Sequence, residues 1–422
     1  MLRVLVFEMN NISFIEGGIT APKGFVASGV HCGIKNRKKD LAMIGSSTEC
    51  NTAALYTTNK IKAAPLIITQ KNLASGKSRG AVINSGLANA LTGERGLKDA
   101  EEMADLAGYE LKCQANKIVV SSTGMIGEYL PMDKIKAGIQ AAGKALGSTR
   151  KHAHDAALAI MTTDTVPKEA AIVTTLADGT RITIGGMAKG SGMISPELKK
   201  WHATTLSFIT TDAAISPHLL EKMLEPAVED SLNMLNIDGD RSTNDICAIF
   251  ANGEAGNPLL KDTDPNFQAA LTALLQSLTQ QLARDGEGAK KQIEVKIIGA
   301  KDTAQARVAA RSIVMSNLVK CAIFGEDPNF GRIVSAIGQS GAEIDAEKVS
   351  LTLVSEYGSV DMMSNGELLS LVDDKTYKHA RQLLKSPLVK IQVDLKLGDG
   401  EATAWGCDMS FDYVRINAEY TT

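Results

Sequence analysis

RITIGGMAKGSGMISPELKKWHATTLSFITTDAAI, residues 181–215, is the stretch from which this chain is best read. Its first four residues are β-rich and run into Gly185-Gly186. A glycine-broken loop follows, with Lys189 set among Ala188, Gly190, Ser191 and Gly192. Small neighbours let a backbone or a ligand approach a lysine closely. A polar bulge over 196–202 then leads to Ala203-Thr204-Thr205 and a threonine-rich strand from Leu206. By composition alone, the segment is a flexible loop with a solvent-facing lysine, followed by an ordinary strand.

Upstream, Leu176-Ala177-Asp178-Gly179 joins strand-like runs at 171–175 and 181–184, a hairpin signal. Strands are also expected at 81–83 and 117–120. Helices are expected over about 97–107 and 132–146, the second presenting Ile135, Ile139 and Ala142 on one face. The second half is more helical. Asp264-Pro265 reads as an N-cap followed by proline at the first helical position, and Leu271, Leu274, Leu275, Leu278 and Leu282 form one apolar stripe. A helix starting at Ser216-Pro217 carries Leu220, Met223, Leu224, Ala227 and Leu235, with Pro226 expected to kink it. Further strands are expected at 292–298, 349–354 and 389–395. The fold class is α/β in the mixed α+β sense, with no parallel βαβ rhythm regular enough for a doubly wound sheet.

The 422 residues are 44% hydrophobic and 22% charged, enough for a sizeable core in two domains or one large one. Lys and Arg number 45 against 48 acids, for a net charge of −3, so no basic excess points to nucleic acid. No stretch approaches the ~20 apolar residues of a membrane span, and MLRVLVFEMNN lacks the long apolar core of a secretory signal. Cys32, Cys50, Cys113, Cys247, Cys321 and Cys407 are scattered without a CxxC pair, as expected of reduced thiols in a cytoplasmic protein. Gly76-Lys77-Ser78-Arg79-Gly80 matches GxSxG but precedes a strand instead of following one, so it reads as a basic loop. Neither phosphate-binding glycine motif is present. His152-Ala153-His154-Asp155 has no further ligand cluster nearby and reads as solvated helix side chains, so no metal is expected.

Eleven ordered blocks carry a more specific signal. They are GGITAPKGFVASGVHCGIK (17–35), ALYTTNKIKAAPL (54–66), VINSGLANALTG (82–93), VVSSTGMIG (119–127), IMTTDTVPKEA (160–170), GGMAKGSGMISP (185–196), ATTLSFITTDA (203–213), GDRSTNDICAIFANG (239–253), DGEGAKK (285–291), FGEDPNFGRI (324–333) and AWGCDMSFDYVRINAEYTT (404–422). Together they resemble the ornithine acetyltransferases, also called bifunctional glutamate N-acetyltransferases, of the cyclic arginine pathway. The resemblance implies a layered sheet-and-helix sandwich of the self-processing, N-terminal-nucleophile-like type, with a smaller C-terminal α/β part. It also implies self-cleavage between Ala203 and Thr204, giving an alpha chain of residues 1–203 and a beta chain of residues 204–422. Two copies of each would form a heterotetramer.

The same resemblance makes Thr204 the nucleophile and Thr123 and Gly124 the oxyanion donors. Thr162, Lys189, Thr204, Glu287, Asn417 and Thr422 fall at substrate-binding positions, with Thr163 adjacent to Thr162 and equally placed for that role. A threonine hydroxyl needs an adjacent base to act as a nucleophile at neutral pH, and cleavage frees an α-amine on the same residue. Such chemistry calls for no metal or organic cofactor. The implied substrates are N2-acetylornithine and glutamate; some family members also accept acetyl-CoA, and these residues fit both versions.

Three positions depart from the family pattern. The segment between Pro196 and Ala203 is about four residues longer, Thr205 stands where methionine is usual, and Leu87 stands where asparagine is usual. Two other readings stand beside transfer: an amide hydrolase such as an aminopeptidase, which would release acetate regardless of glutamate, and an uncleaved binding protein for acetylated amino acids.

Overall fold

The computed structural model describes residues 11–195, 197, 205–369 and 374–419. The first half supplies β1 (Ile12–Ile15), β2 (Phe25–Val30), β3 (Leu41–Tyr56), β4 (Lys77–Leu87), β5 (Ile118–Met125), β6 (Lys168–Thr175) and β7 (Arg181–Lys189). After the 190–205 connection come β8 (Leu206–Thr211), the short β9 (Leu235–Asn236) and β10 (Ile246–Ala251). The last third adds β11 (Gln292–Ala300), β12 (Ser350–Ser355), β13 (Gly358–Ser364), β14 (Glu367–Leu368), β15 (Leu388–Asp394) and β16 (Gly400–Cys407).

Among the described residues these strands form two mixed sheets. The first runs β1-β6-β7-β8-β10-β3-β4-β5, with β2 also paired to β3; the second runs β14-β13-β12-β15-β11-β16-β9. The class is the expected mixed α/β. The first sheet takes strands from both sides of the 203/204 step, because β8 lies antiparallel to β7 and parallel to β10.

Helices α1 (Ala64–Asn72), α2 (Gly93–Glu110) and α3 (Met132–Lys144) share a core with Leu41, Met43, Val82 and Val120. The alternate residues of the same strands, Ala42, Ile44, Ala81 and Ile83, pack instead with α4 (Arg150–Ile160), as the two-residue period of a strand requires. Helices α5 (Pro217–Glu229) and α6 (Pro265–Arg284) join the largest core, which continues into the second sheet. There α7 (Thr303–Met315) packs on β11 and β16, with α8 (Asn317–Phe324) and α9 (Phe330–Gly338) beside it; α10 (Asp374–Leu383) lies against β12 and β13, and α11 (Phe411–Ala418) closes the described chain. Val389, Ile391 and Val393 face this core while Lys390 and Gln392 are exposed, so one face of the second sheet is apolar.

The elements with the clearest periodicity form as expected. The 176–179 turn links antiparallel β6 and β7, with Gly179 at φ +89°. Asp264 caps α6 by accepting from the amides of Asn266 and Phe267, and all five leucines of its stripe are buried. Four local expectations are corrected. Leu235 is not on α5, which runs through Pro226 and stops at Glu229; Leu235 begins β9. Lys77–Gly80 is not a basic loop but the start of β4, where Ser78 is buried with its hydroxyl 2.6 Å from that of Thr52. Lys189 is not a loop residue: β7 continues through Gly185-Gly186 and places Lys189 opposite Leu206. Nor is it solvent-facing, since its side chain is buried. The glycines fit a strand here because its neighbours leave no room for a side chain. A Cβ on Gly185 would lie 2.2 Å from the carbonyl oxygen of Gly18, and one on Gly186 would lie 3.0 Å from Leu274 of α6.

Candidate active site

A cavity of about 440 Å³ opens where the ends of β5 and β7 meet the start of β8. Thr123 and Gly124 from β5, Thr162 and Thr163 from the α4–β6 connection, Lys189, Glu287 and Asn417 all line it. The structure thus brings together six of the expected site residues from five separate segments, together with Thr163. Ala203, Thr204 and Thr422 lie outside the described residues. Thr205, the residue after the expected nucleophile, also lines the cavity. It is buried there and fixed by its carbonyl, which accepts from the Ile246 amide at 2.7 Å.

The Thr123-Gly124 corner is built by parallel pairing of β4 and β5, with Gly86 opposite Gly124 and a register shift at Leu87. Gly124 has φ +130°, and a Cβ there would lie 2.2 Å from the Gly86 carbonyl carbon. Glycine is therefore required both for conformation and for contact. Behind it, Asn244 donates to the carbonyls of Ala88 at 2.6 Å and Ser122 at 2.8 Å, tying the corner to the loop before β10. Leu87 offers its carbonyl to Asn84 Nδ2 at 2.9 Å, a bond that does not depend on the side chain at this unusual position.

Lys189 Nζ donates to Thr123 Oγ1 at 3.3 Å. A hydroxyl that accepts from an ammonium keeps its own hydrogen to donate, as an oxyanion would need. Burial pulls the Lys189 ammonium below its ordinary range, while Asp164 opposes the shift. Burial pushes the Asp164 carboxyl up, but Lys168 and Lys189 outweigh it and hold the group at about 2. Asp164 thus remains an anion within the protein.

Glu287 is buried, and its amide donates to the Ser191 carbonyl at 2.9 Å. A Cβ on Gly192 would lie 2.3 Å from the Glu287 carboxyl carbon, so glycine makes space for that side chain. Asn417 Nδ2 donates to Glu287 Oε2 at 2.8 Å. Helix α11 is held at its start by Ser410 Oγ donating to the Gly288 carbonyl at 2.6 Å and by a 2.7 Å ion pair between Lys290 and Asp412. Asn417 is pinned accordingly.

Sequence reading did not single out Asp164, Lys168, Asp285 or Asn244. Asp164 and Lys168 lie four residues apart within 160–170, but Asp285 is 117 residues from Lys168 and meets it only through the fold. His152 and His154 lie on α4, their Nδ1 atoms 2.7 Å from Thr149 Oγ1 and 2.8 Å from Glu169 Oε2. Among the described residues, no three His, Cys, Asp or Glu side chains are grouped as metal ligands, and no helix is long and apolar enough to cross a membrane.

Comparison with known proteins places this chain in a family. The arginine biosynthesis bifunctional protein ArgJ of Symbiobacterium thermophilum is 46% identical over 417 residues, 97% of this chain and 100% of its own. The glutamate N-acetyltransferase of Methanothermobacter thermautotrophicus is 43% identical, covering 97% of this chain and 99% of its own. A solved chain of Mycobacterium tuberculosis ornithine acetyltransferase, complexed with ornithine, is 39% identical with a TM-score of 0.42, covering 44% of this chain and 100% of that one. The ArgJ family model matches residues 26–422. With near-complete matches at this identity, the chain belongs to the ArgJ family, the ornithine acetyltransferases and bifunctional glutamate N-acetyltransferases that its ordered motifs resemble.

Proposed function

We propose that this protein transfers the acetyl group of N2-acetylornithine to glutamate through an acetyl-threonine intermediate, in arginine biosynthesis in the cytoplasm. The supporting observation is the convergence of Thr123, Gly124, Thr162, Lys189, Glu287 and Asn417 on one cavity that Thr205 also lines. Thr204 Oγ1 attacks the acetyl carbonyl, and the α-amine freed by cleavage after Ala203 takes its proton. The Thr123 hydroxyl and the Gly124 amide then donate to the oxygen of the tetrahedral adduct, and ornithine leaves as the C–N bond breaks and its nitrogen takes the proton from the α-ammonium. Glutamate attacks the acetyl ester in the second half-reaction, giving N-acetylglutamate and restoring the threonine.

Lys189 and Glu287 both line the cavity, a cation and an anion suited to the carboxylate and the ammonium of an amino-acid substrate. Thr162 or Thr163, with Asn417 and Thr422, completes the substrate contacts. Acetyl-CoA as a second donor would enter by acylating the same threonine, and two alpha and two beta chains would form the working assembly.

The test combines intact mass with product analysis. A cut after residue 203 of 422 leaves a 219-residue chain beginning at Thr204. Thr204→Ala is expected to remain a single chain and to transfer no acetyl group. Cleavage of that variant at the same bond would overturn the mechanism. Acetate release that is indifferent to glutamate would replace transfer by hydrolysis.

A further inference from the structure

Behind the Lys189 wall lies a buried charge cluster that none of the proposed steps uses. Asp164 Oδ1 accepts from the Gly190 amide at 2.7 Å and from Lys168 Nζ, while Oδ2 accepts from the Thr162 amide at 3.0 Å. Lys168 Nζ also reaches Asp285 Oδ2 at 2.5 Å. Asp285 in turn accepts from the Thr165 amide at 2.9 Å and from the Thr165 hydroxyl. Its own carbonyl accepts from Ser191 Oγ at 2.6 Å. The side chains of Asp164 and Lys168 are fully buried.

These bonds join the three segments that carry Thr162, Lys189 and Glu287. One carboxylate holds the backbone on either side: the residue after Lys189 and Thr162 itself. Through Lys168, the network continues to the loop two residues before Glu287. The charges acting on Lys189 are Asp164, Lys168, Asp245 and Glu287, with Lys35 also nearby. Asp164 and Lys168 thus oppose each other at Lys189, and removing the Asp164 carboxylate leaves Lys168 paired with Asp285 while Lys189 loses the strongest of the anions that act on it. Breaking one partner out of a buried pair leaves an uncompensated charge.

We infer that Asp164 is a positioning residue for this reaction: one buried carboxylate fixes the Thr162 and Gly190 segments of the cavity wall and sets its negative charge beside the strand end that carries Lys189. This rests on the reading that Lys189 meets a substrate carboxylate. Asp164 itself does not line the cavity. It acts through the two segments and through the lysine.

The experiment reads Lys189 directly, without substrate. Full-length wild-type protein and Asp164→Asn are labelled competitively with trace acetic anhydride across a pH series, and each lysine is quantified by mass spectrometry after digestion. Asparagine keeps an oxygen acceptor for a backbone amide but loses the charge. A lysine deprived of its anion is neutral over a wider range, so Lys189 in the variant should label faster at a given pH, by about tenfold or more. Lys320 is the internal reference. It is buried and held by the carbonyls of Asn236 and Cys407, away from this cluster, and its labelling should stay as in wild type. Wild-type labelling of Lys189 in the variant, or a parallel rise at Lys320 that marks general loosening, would overturn the inference. Amide exchange in the wild-type protein supplies the second arm, which stands even if Asp164→Asn does not fold. The amides of Thr162 and Gly190 should exchange as slowly as those of β7, and exchange at open-loop rates would overturn the anchoring role. Acetyl transfer by the same samples is scored separately, so a failure of the proposed activity is told apart from a failure of this inference.

Discussion

Gly124→Ala separates shape from chemistry at the Thr123-Gly124 corner, where the proposed mechanism puts the oxyanion. The native φ of +130° is a conformation that L side chains rarely adopt, costing about 1–3 kcal/mol. The new methyl group would also sit 2.2 Å from the Gly86 carbonyl carbon, 2.3 Å from its oxygen and 2.6 Å from the Leu87 amide nitrogen. All three are backbone atoms of β4, so no rotamer can move aside; the strand itself must shift, at about 1–3 kcal/mol more. Such a shift turns the Gly124 amide away from the oxyanion, and losing one donor costs ~2.7–4 kcal/mol in the transition state, or about 10²–10³ in kcat. Gly127→Ala is the matched control. Its φ is +91° with nothing within 4 Å of the added carbon, so it carries the conformational cost without the clash. The assay is steady-state acetyl transfer together with urea unfolding of both variants. Gly124→Ala should lose both stability and kcat, and Gly127→Ala mainly stability. A Gly124→Ala enzyme with wild-type kcat would refute the assignment of that amide as a donor.

Gly192→Ala adds a carbon 2.3 Å from the Glu287 carboxyl carbon and 2.4 Å from each of its oxygens. The carboxylate is the flexible end of its side chain, so it should swing away from Asn417 with little loss of stability. A charged hydrogen bond of this kind is worth about 1.5–3 kcal/mol, so KM for acetylornithine should rise about tenfold or more while kcat changes less. An unchanged KM removes Glu287 from the substrate contacts. Asp264→Ala tests the fold at a distance, since α6 has 20 residues and its far end lies about 30 Å from the cap. Losing the cap should lower stability by about 1 kcal/mol, with a further loss because Asp264 Oδ2 also accepts from the Ala177 amide at 2.8 Å. Transfer activity should be retained; a urea midpoint equal to wild type would show that the cap contributes nothing.

Where local pattern dictates local structure, the sequence could be read directly. The β6–β7 hairpin needs only its turn, and α6 needs only a cap and a leucine stripe that any apolar surface would bury. The strands of the second sheet likewise show their alternation in 389–395. Lys189 reads as a loop residue because glycines normally weaken a strand. Here Gly185 and Gly186 are demanded by the carbonyl of Gly18 and by α6, contacts invisible in one dimension. Leu235 fits the helical period of 217–229 but lies beyond the point where α5 ends, and pairing with β16 claims it. The ordered motifs picked out six residues that line one cavity without saying why they meet. Their meeting depends on the sheet order, which sets the end of β5, the end of β7 and the start of β8 around one cavity. The Asp164–Lys168–Asp285 cluster was least legible, because its members read as ordinary charged loop residues until burial forces them to pair.

The four extra residues before Ala203 bear on processing only if they move the bond to be cut. Lys189 and Leu206 are register partners in β7 and β8, so the 16-residue connection between them leaves and returns to adjacent points. Its return end is held twice, by that pairing and by the Ile246 amide on the Thr205 carbonyl. Lengthening a connection with fixed ends from about 12 to 16 residues costs roughly 0.3 kcal/mol of closure entropy, far too little to pull β8 out of a sheet where both its neighbours are buried. On the proposed mechanism, the register of β8 against β7 and β10, and not the length of the connection, selects the nucleophile. Deleting residues 198–201 should leave the C-terminal chain starting at Thr204, with an unchanged intact mass for that chain and transfer activity retained. A C-terminal chain beginning at any other residue would mean that the length of the connection, and not the register of β8, selects the scissile bond.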